Sequence, residues 1–408
     1  MSLLALACDP KSQSLSEEGG DASGSGSEEE SSAGSSDTGV EPPPGGEVRW
    51  DELRPDVSGS YLAIGSDGSV HVAGNAGFMW FGDGGTFERS WLGKLAADGT
   101  ELWVLDEPVD GEEGSVWPLG LDVAADDTVY VGWREVSLAG DVMRISAHEA
   151  DGALRWTSTD LEYAESVGAF EGGVIVGGGR ETSSNHGVAW ARAFDDDGVV
   201  RWTKEWGDPT MKWSDVRAIA ATANGGAILG GHAGTSLASS AGRAWAVAVD
   251  ADGNTLWEAL LSDGVVTDSV NDVAIASNGD VLVIGVAETP FVKALAADTG
   301  AELWTFTPAE VTGSQTIAAT ADGGFVITDG LTLPPEDPNA CETGSGPCPS
   351  NMRVARYEAD RSVRWLDVRD DCGAGIAVAS APNDDAVAIG ACGNAGSTVQ
   401  LGIFDYAP

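Results

Sequence analysis

Short runs of alternating apolar and polar residues recur along most of the chain, and each run ends at a cluster of Gly, Asp or Asn. Alternation with a period of two residues predicts half-buried β-strands. Asp-Gly or Asn-Gly between two such runs predicts a tight hairpin turn, because these residues tolerate positive φ. The hairpin signal occurs seven times, at Asp67-Gly68, Asp126-Asp127, Gly172-Gly173, Asn224-Gly225, Asn278-Gly279, Asp322-Gly323 and Asn383-Asp384.

A tryptophan follows a turn sequence seven times, at spacings of 53, 53, 46, 55, 47 and 61 residues; these repeat tryptophans are Trp50, Trp103, Trp156, Trp202, Trp257, Trp304 and Trp365. A long, regular period with turn-bounded strands indicates a repeat array. In the fifth repeat, strands are predicted at Asn271–Ser277, Asp280–Val286, Phe291–Ala297 and Ala301–Thr307. Four strands per repeat, arranged radially, predict a β-propeller in which the repeat tryptophans pack between blades.

The two ends of the array complement each other. The array begins with a lone fourth strand, Val48–Leu53, and ends with strands Gly375–Ser380, Ala386–Ala391 and Val399–Tyr406, which lack a fourth. Pairing the first segment with the last completes a blade and covers strand edges. The predicted fold class is therefore all-β: a seven-bladed β-propeller of four-stranded blades over residues 46–408, closed by the N-terminal strand.

Two segments resemble known propeller repeats. AWARAFDDDGVVRWTKEW from Ala189, followed by AWAVAVDADGNTLW from Ala244, resembles bacterial repeats of the SBBP type, and ALAADTGAELW over Ala294–Trp304 resembles a PQQ-like repeat. The resemblance covers roughly residues 46–408 and implies the fold. PQQ-dependent dehydrogenases have a further blade, a pair of adjacent cysteines and an acidic metal cluster, none of which the sequence predicts here. No cofactor is therefore predicted, with calcium or pyrroloquinoline quinone as the open alternatives.

The N-terminal segment has a different character. Leu3-Leu4-Ala5-Leu6-Ala7-Cys8 resembles the end of a lipoprotein signal peptide, so residues 1–8 are interpreted as a signal remnant with Cys8 as the lipidation site. The alternative is an ordinary short apolar N-terminus. Residues 9–45 are rich in Ser, Glu, Gly and Pro and predict a disordered acidic linker. Anchor, tether and domain together predict an exported lipoprotein of the cell envelope, at the outer membrane or its periplasmic face.

Four further cysteines fall into two pairs. Cys341 and Cys348 bracket a short Gly-containing segment, and Cys372 and Cys392 flank two strands of the last blade. Both pairs are consistent with disulfides in an oxidising compartment. A four-cysteine zinc site would need Cys-x-x-Cys spacing, which neither pair has; free thiols are the other alternative.

The charge is strongly acidic: 21 basic and 65 acidic side chains give a net charge of −44. Such a surface repels nucleic acid and anionic lipid, so no nucleic-acid partner is predicted and membrane contact is expected only through a lipid anchor. Solubility at high ionic strength is the favoured explanation of this charge, and the binding of divalent or organic cations is the alternative.

Propeller topology places the short turns at one end and the longer connections at the other. Insertions are predicted there at Asn75–Ser90, Trp133–Gly140, Arg180–Gly187, His232–Gly242 and Asp329–Asn351. Function on a scaffold concentrates in long loops. Aromatic rings beside carboxylates bind sugars, cations or proteins, unless the rings only seal loops onto the sheets. The ligand-face candidates are Trp80, Trp117, Trp133, Trp206, Trp213, Asp110, Glu113, Asp208 and Asp215.

The sequence predicts no catalytic motif. It has no Gly-x-Ser-x-Gly elbow, phosphate-binding loop or His-Glu-x-x-His helix. His186 and His232 would suit a metal site only with an added acid, and the Asp-rich turns lack the later glutamate of a calcium loop. The favoured hypothesis is a non-catalytic, monomeric envelope propeller that binds a protein, a glycan or another envelope ligand. The alternative is an exported enzyme, either a quinone-dependent dehydrogenase or a polysaccharide hydrolase or lyase.

Overall fold

The computed structural model describes a propeller domain within the compact unit Pro42–Pro408. The residues it describes are 46–55, 57–80, 86–107, 114–137, 140–159, 161–183, 186–207, 213–234, 242–262, 268–308, 311–332, 350–392 and 400–408. The predicted signal remnant, Cys8 and the predicted linker lie outside them. Over these residues the secondary structure consists of β-strands and turns, and it contains no helix that is long and apolar enough to cross a membrane.

The described strands form seven four-stranded antiparallel sheets, which confirms the predicted number of blades and strands. Blade I consists of β2 (Val57–Ile64), β3 (Val70–Trp80), β4 (Thr86–Leu95) and β5 (Glu101–Glu107). Blade II consists of β6 (Gly114–Val123), β7 (Val129–Ser137), β8 (Gly140–His148) and β9 (Leu154–Ser158). Blade III consists of β10 (Tyr163–Phe170), β11 (Gly173–Ser183), β12 (His186–Asp195) and β13 (Val200–Trp206).

Blade IV consists of β14 (Trp213–Ala221), β15 (Ala227–Gly234), β16 (Gly242–Val249) and β17 (Thr255–Leu260). Blade V consists of β18 (Ser269–Ile275), β19 (Val281–Val286), β20 (Pro290–Leu295) and β21 (Glu302–Phe306). Blade VI consists of β22 (Val311–Ala319), β23 (Phe325–Thr332), β24 (Ser350–Tyr357) and β25 (Val363–Arg369). Blade VII consists of β26 (Cys372–Ser380), β27 (Ala386–Cys392), β28 (Gln400–Tyr406) and β1 (Val48–Pro55).

The first strand closes the ring as predicted. β1 pairs antiparallel with β28, from Val48 opposite Tyr406 to Pro55 opposite Gln400. The backbone N–H of Ala407 donates to the carbonyl of Glu47 at 2.9 Å, which continues the pairing beyond the strands. In the other blades a hairpin joins the third and fourth strands. In blade VII these two strands are β28 and β1, which come from opposite ends of the propeller segment.

The core lies between the blades. Seven hydrophobic clusters of buried residues occur in the described chain, and each combines side chains of two neighbouring blades. The second and third strands of a blade are buried on both faces, as β15 shows along its whole length. Burial of apolar surface between blades therefore holds the ring together.

The repeat tryptophans join neighbouring blades, as predicted. Trp257 on the outer strand of blade IV is 7% exposed, and its Nε1–H donates to the carbonyl of Ala297 in blade V at 2.8 Å. Gly300, with φ of 65°, lies against the Trp257 ring, where a Cβ would come within 2.5 Å of the indole. The same bond to the next blade is made by Trp50, Trp103, Trp156 and Trp202. The turn glycine is thus required both for its φ and for this close approach.

The loops within the predicted insertions are shorter than expected, because strands extend into the insertions. In blades I, II and III the second strand continues to Trp80, Ser137 and Ser183, so much of each insertion is an extended hairpin. Cys372 and Cys392 lie opposite each other on β26 and β27 and form a disulfide, as predicted. Cys341 and Cys348 lie outside the described residues.

Candidate functional site

The first strands of the seven blades surround a central channel. Each inner strand contacts the inner strands of both neighbouring blades, and β26 contacts β2, so the wall is continuous. The channel has a volume of about 1100 Å³ and is lined by residues of all seven blades. We call its two ends the turn end, where the short hairpins lie, and the loop end, where the inner strands begin.

A β-bulge near the loop end turns one extra residue of an inner strand toward the channel. The register between the first and second strands shifts by one residue at this point in six blades, and five of the bulged residues line the channel: Ser60, Glu165, Arg217, Asn271 and Ile376. Bulges re-aim side chains and are frequent beside functional sites. Three consecutive blades, III to V, therefore present a polar arc of Glu165, Arg217 and Asn271.

In blades I, III, IV and V, a glycine on the second strand makes room for the bulge. Gly178 pairs with Ala164 immediately before the bulged Glu165, and a Cβ on Gly178 would lie 2.0 Å from the carbonyl oxygen of Tyr163. Gly231 has the same relation to the strand that carries Arg217, with the carbonyl oxygen of Asp215 at 1.9 Å. No side chain fits at these positions without moving the inner strand.

Asp215 anchors the charged part of the arc. Its side chain is 3% exposed and accepts hydrogen bonds from Arg217 Nε at 3.0 Å, Trp213 Nε1 at 3.3 Å and the backbone N–H of His232 at 3.2 Å. Burial opposes the charge on Arg217, but the attraction and hydrogen bonds of Asp215 outweigh it and raise the Arg217 pKa. Asp215 and Arg217 thus form a neutral, fixed pair.

Glu165 is the unmatched charge in this arc. It is half-buried beside the Asp215–Arg217 pair and forms no hydrogen bond or ion pair with the described part of the chain. Burial raises the pKa of Glu165 above its usual range, and the negative charge of Asp215 adds to this, while Arg217 opposes it. A desolvated carboxyl that forms no ion pair either takes up a proton or binds a cation.

Aromatic side chains stand around the same mouth. Trp117 lines the channel, is 40% exposed, and donates its Nε1–H to Ser115 Oγ at 3.0 Å. Tyr163 is also 40% exposed, and the guanidinium of Arg134 lies 5.4 Å from its ring centre. Tyr61 lines the channel from blade I, and burial, followed by the charge of Glu165, raises its pKa to about 12.

Deeper in the channel, two aspartates join inner strands of adjacent blades. Asp122 accepts hydrogen bonds from the backbone N–H groups of Val123 and of Ala169 in blade III, at 2.8 and 2.7 Å. Asp272 in blade V does the same with Val273 and with Ile317 in blade VI. Burial raises the pKa of Asp122 to about 6 and that of Asp272 to about 7. Their hydrogen bonds make both primarily connectors of blades.

The ligand-face candidates from the sequence do not form one cluster. Trp117 lines the channel. Asp215 is buried behind the channel wall and accepts a hydrogen bond from Trp213, whose ring packs against Gly179 and Gly187 of blade III. Trp206 is half-buried in a cleft between blades III and IV. Trp133 is completely buried in the core between blades I and II, and its Nε1–H donates to Ser146 Oγ at 3.0 Å. Trp80 ends β3, its side chain is not described, and Asp110, Glu113 and Asp208 lie outside the described residues.

Metal-site geometry is not found in the described segments, where no group of three or more His, Cys, Asp and Glu side chains could hold one ion. His232 is buried, and its Nδ1 lies 2.7 Å from the carbonyl oxygen of Asp268.

The sequence analysis missed Glu165, Arg217 and Tyr61. A bulge inserts one residue into an alternating pattern, and the pattern then places that residue on the wrong face. The signal that would have found two of them is the glycine on the neighbouring strand, Gly178 and Gly231, because Gly in the interior of a strand pattern indicates a bulge or a close backbone approach.

Comparison with known proteins supports the fold. A scan against protein-family models finds no match to the chain, and a search of curated proteins finds none. Among solved structures, the chain is similar to the RRP9 WD40 repeats, with 11% identity and a TM-score of 0.54, covering 89% of this chain and 99% of that one. It is also similar to Raptor from Chaetomium thermophilum, with 11% identity and a TM-score of 0.55, covering 90% of this chain but 29% of that one.

A quinohemoprotein alcohol dehydrogenase from Comamonas testosteroni is a further, distant neighbour. It has 12% identity and a TM-score of 0.46, over 88% of this chain and 76% of that one. At this distance the likeness carries no argument about cofactor or reaction. The chain has a seven-bladed propeller fold, and the SBBP-type and lipoprotein assignments stay predictions.

Proposed function

We propose that this protein is a non-catalytic binding propeller that receives a cationic side chain of a partner protein at the loop end of its channel. The observation that carries the proposal is Glu165: a bulge holds a desolvated carboxyl at the mouth, where it forms no hydrogen bond or ion pair with the described chain. Bound Lys or Arg would supply the missing charge. Trp117, which also lines the channel, offers an aromatic face to the same group.

The electrostatics of the whole molecule support a cationic ligand. The net charge of −44 attracts cations over long distances and raises their encounter rate with the surface. Four carboxylates, Asp122, Glu165, Asp215 and Asp272, lie in or beside the channel, whereas Arg217 is the one base among its described lining residues and is already paired. A cation at Glu165 would therefore be stabilised locally as well as steered there.

The test is a titration with side-chain analogues. Butylammonium and butylguanidinium are added to the protein, and binding is followed by the fluorescence of Trp117 or by NMR. We expect Glu165→Gln to reduce affinity about tenfold or more, because a hydrogen bond to a charged group contributes about 1.5–3 kcal/mol. Affinity should also fall as the pH is lowered, because protonation neutralises Glu165.

The matched control is Glu171→Gln. Glu171 is exposed at the turn end of the same blade, so both variants change the net charge equally and leave long-range attraction the same. Equal affinities of the two variants would contradict the proposal. Cross-linking of Lys-containing envelope proteins to the wild type, but not to the Glu165→Gln variant, would then identify the partner.

One observation favours an enzyme as the second candidate. A carboxyl with a raised pKa beside another carboxylate is the arrangement used in general acid–base catalysis, including glycoside cleavage. Release of reducing ends from polysaccharide by the wild type but not by Glu165→Gln would identify a hydrolase or lyase and replace the binding proposal.

We also propose that Cys8 carries a lipid anchor and that the protein is exported to the cell envelope. The support is the sequence pattern around Cys8, the acidic segment that follows it, and the disulfide between Cys372 and Cys392, since such bonds persist in oxidising compartments.

A further inference from the structure

Below its mouth, the channel carries polar side chains at two further depths. Asp272 and Ser166 directly follow the bulged residues of blades V and III, so they share one depth, which we call the upper level. Asp122 lies three residues beyond Leu119, the bulged residue of blade II. It is therefore two residues, or about 7 Å, deeper than the upper level, since a strand rises about 3.3 Å per residue. We call this depth the lower level. Asp122, Ser166 and Asp272 all line the channel.

The polar groups at both levels have room for a further partner. Asp122 and Asp272 are half-buried, and each of their carboxylate oxygens accepts one backbone N–H, which leaves a second lone pair on every oxygen. Ser166 is only 9% exposed, and its hydroxyl forms no hydrogen bond within the described chain. Because buried hydroxyls are normally hydrogen-bonded, Ser166 is an independent indication that a ligand occupies this part of the channel.

The two aspartates influence each other and have no base to neutralise them. Burial raises the pKa of Asp272 to about 7, its backbone hydrogen bonds oppose the shift, and the charge of Asp122 adds to it. The other charged or titratable groups among the described lining residues are Tyr61, Glu165 and Arg217, of which Arg217 is already paired. Two positive charges are therefore needed to match the two levels.

The wall around the two levels is largely apolar. Leu62, Ala220 and Ala274 are half-buried and line the channel there. Methylene groups can pack against these side chains, whereas the N–H and C=O groups of a peptide backbone would lose hydrogen bonds beside them. The described residues also bring no three metal-ligating side chains together. This combination favours a slender organic ligand with a charge at each end and an apolar middle.

We propose that the two levels of the channel bind a short linear aliphatic diamine. One ammonium group would contact Asp272 and the hydroxyl of Ser166, the other would contact Asp122, and the methylene groups between them would pack against the apolar wall. The net charge of −44 attracts such a dication to the protein. The site lies below Glu165, uses other side chains, and goes beyond the binding of a partner's side chain at the mouth.

The test is a calorimetric titration of the full chain with the five-carbon diamine cadaverine and with pentylamine, which lacks the second ammonium group. We expect cadaverine to bind about tenfold more tightly, because its second ammonium makes one more hydrogen bond to a charged group. Asp272→Asn and Asp122→Asn should each remove this preference. Glu171→Gln changes the charge equally at the exposed turn end and should retain it.

Proton release gives a second readout, without a substitution at either level. At a pH near 6 amines are charged, whereas Asp122 and Asp272 are partly protonated, because burial raises their pKa values to about 6 and about 7. Cadaverine should ionise both and release protons, so the measured heat should depend on the ionisation enthalpy of the buffer. The measurement is made on Glu165→Gln, in which the carboxyl at the mouth cannot contribute.

The same variant separates this proposal from the one for the mouth. Glu165→Gln should lose affinity for butylammonium but keep its preference for cadaverine over pentylamine. Loss of that preference in Glu165→Gln, its retention in both aspartate variants, or a cadaverine heat that is the same in all buffers would overturn the proposal.

Discussion

At the scale of single residues, three side chains show how the ring tolerates departures from glycine in its turns. Asp127 and Arg361 have φ of 63° and 70°, in the left-handed region that is unfavourable for ordinary residues. Each contacts the preceding blade: Asp127 Oδ1 accepts from the backbone N–H of Ser66 at 2.9 Å, and Arg361 lies 5.2 Å from the Trp304 ring centre. Asp384 in blade VII repeats the first arrangement. Contacts between blades thus offset the backbone strain.

His71 is a second residue whose environment decides its chemistry. It is completely buried between blades I and II, and its ring lies 6.0 Å from that of Trp103. Neither ring nitrogen has a hydrogen-bond partner among the described residues. Burial, followed by the charge of Lys94, lowers the pKa of His71 to about 3. The imidazole is therefore neutral in the folded protein across most of the acidic range.

This environment predicts acid sensitivity. Between pH 6.5 and about 3 the unfolded chain protonates His71 while the folded protein does not, so the free energy of unfolding falls by about 1.4 kcal/mol per pH unit as the pH is lowered. Denaturant unfolding of wild type and His71→Leu across this range measures the effect. The variant should lose less stability on acidification.

Other groups change the free energy of unfolding with pH in the opposite direction. The comparison of wild type with His71→Leu isolates His71 because both proteins contain these groups. Asp272 has a pKa raised to about 7, so its contribution to stability is present at low pH and is lost as the pH rises from about 4 to 7. Both proteins contain Asp272, and its contribution cancels. Parallel pH profiles of the two proteins would show that His71 titrates normally in the fold.

At the scale of elements, the bulge and the glycine opposite it act as one unit. The bulge in β10 points Glu165 into the channel, and Gly178 on β11 leaves the space that the bulged backbone occupies. The equivalent pair on blade IV positions Arg217. The charges at the channel mouth are therefore determined by strand geometry rather than by a loop, which suits a site that must stay rigid.

Replacement of Gly178 by Ala should disturb this unit. The new methyl would lie 2.0 Å from the carbonyl oxygen of Tyr163, so the inner strand must move. We expect a loss of about 1–3 kcal/mol in the free energy of unfolding, together with weaker binding of butylammonium. Gly207→Ala, in the same blade, is the control, since its nearest neighbour is a side-chain carbon of Val188 at 3.3 Å. Equal effects of both changes would show that the bulge needs no glycine.

The elements also mark the limit of the sequence analysis. Strands and turns were predictable because alternation and Asp-Gly or Asn-Gly signals are local properties, and blade V differs from its predicted bounds by only a few residues. The channel mouth was not predictable in the same way. A bulge places Glu165 at the channel mouth, and burial rules out Trp133 as a ligand-face residue. Both the bulge and the burial depend on neighbouring strands, which a local sequence pattern does not reveal.

At the scale of the whole molecule, closure depends on one strand. β1 is joined to β28 by backbone pairing and by the side chain of Arg49, which donates to Asp405 at 2.9 and 3.0 Å. Trp365 in blade VI packs on Gly46, where a Cβ would lie within 2.8 Å of its ring. The predicted lipid anchor and the closing strand are thus on the same short part of the chain.

Two truncations separate anchoring from closure. Removal of residues 1–45 should leave the melting transition unchanged, because the described fold begins after them, and should release the protein from membranes if Cys8 is lipidated. Removal of residues 1–55 also deletes β1 and should lower the melting temperature and broaden the transition, because β28 loses its partner. Differential scanning calorimetry and membrane fractionation check both. An unchanged, cooperative melt of the shorter protein would contradict the closure.

The pairing of β1 with β28 also sets the order in which the protein is completed during synthesis. Arg49 and Asp405 are 356 residues apart, so β1 leaves the ribosome and, in an exported chain, crosses the membrane long before its partner strand does. Until then blades I to VI can form while blade VII lacks a full sheet. In an exported chain, the last folding step, the pairing of β1 with β28, therefore takes place after export. Until that step, the open ring must be prevented from pairing with the strand edges of other molecules.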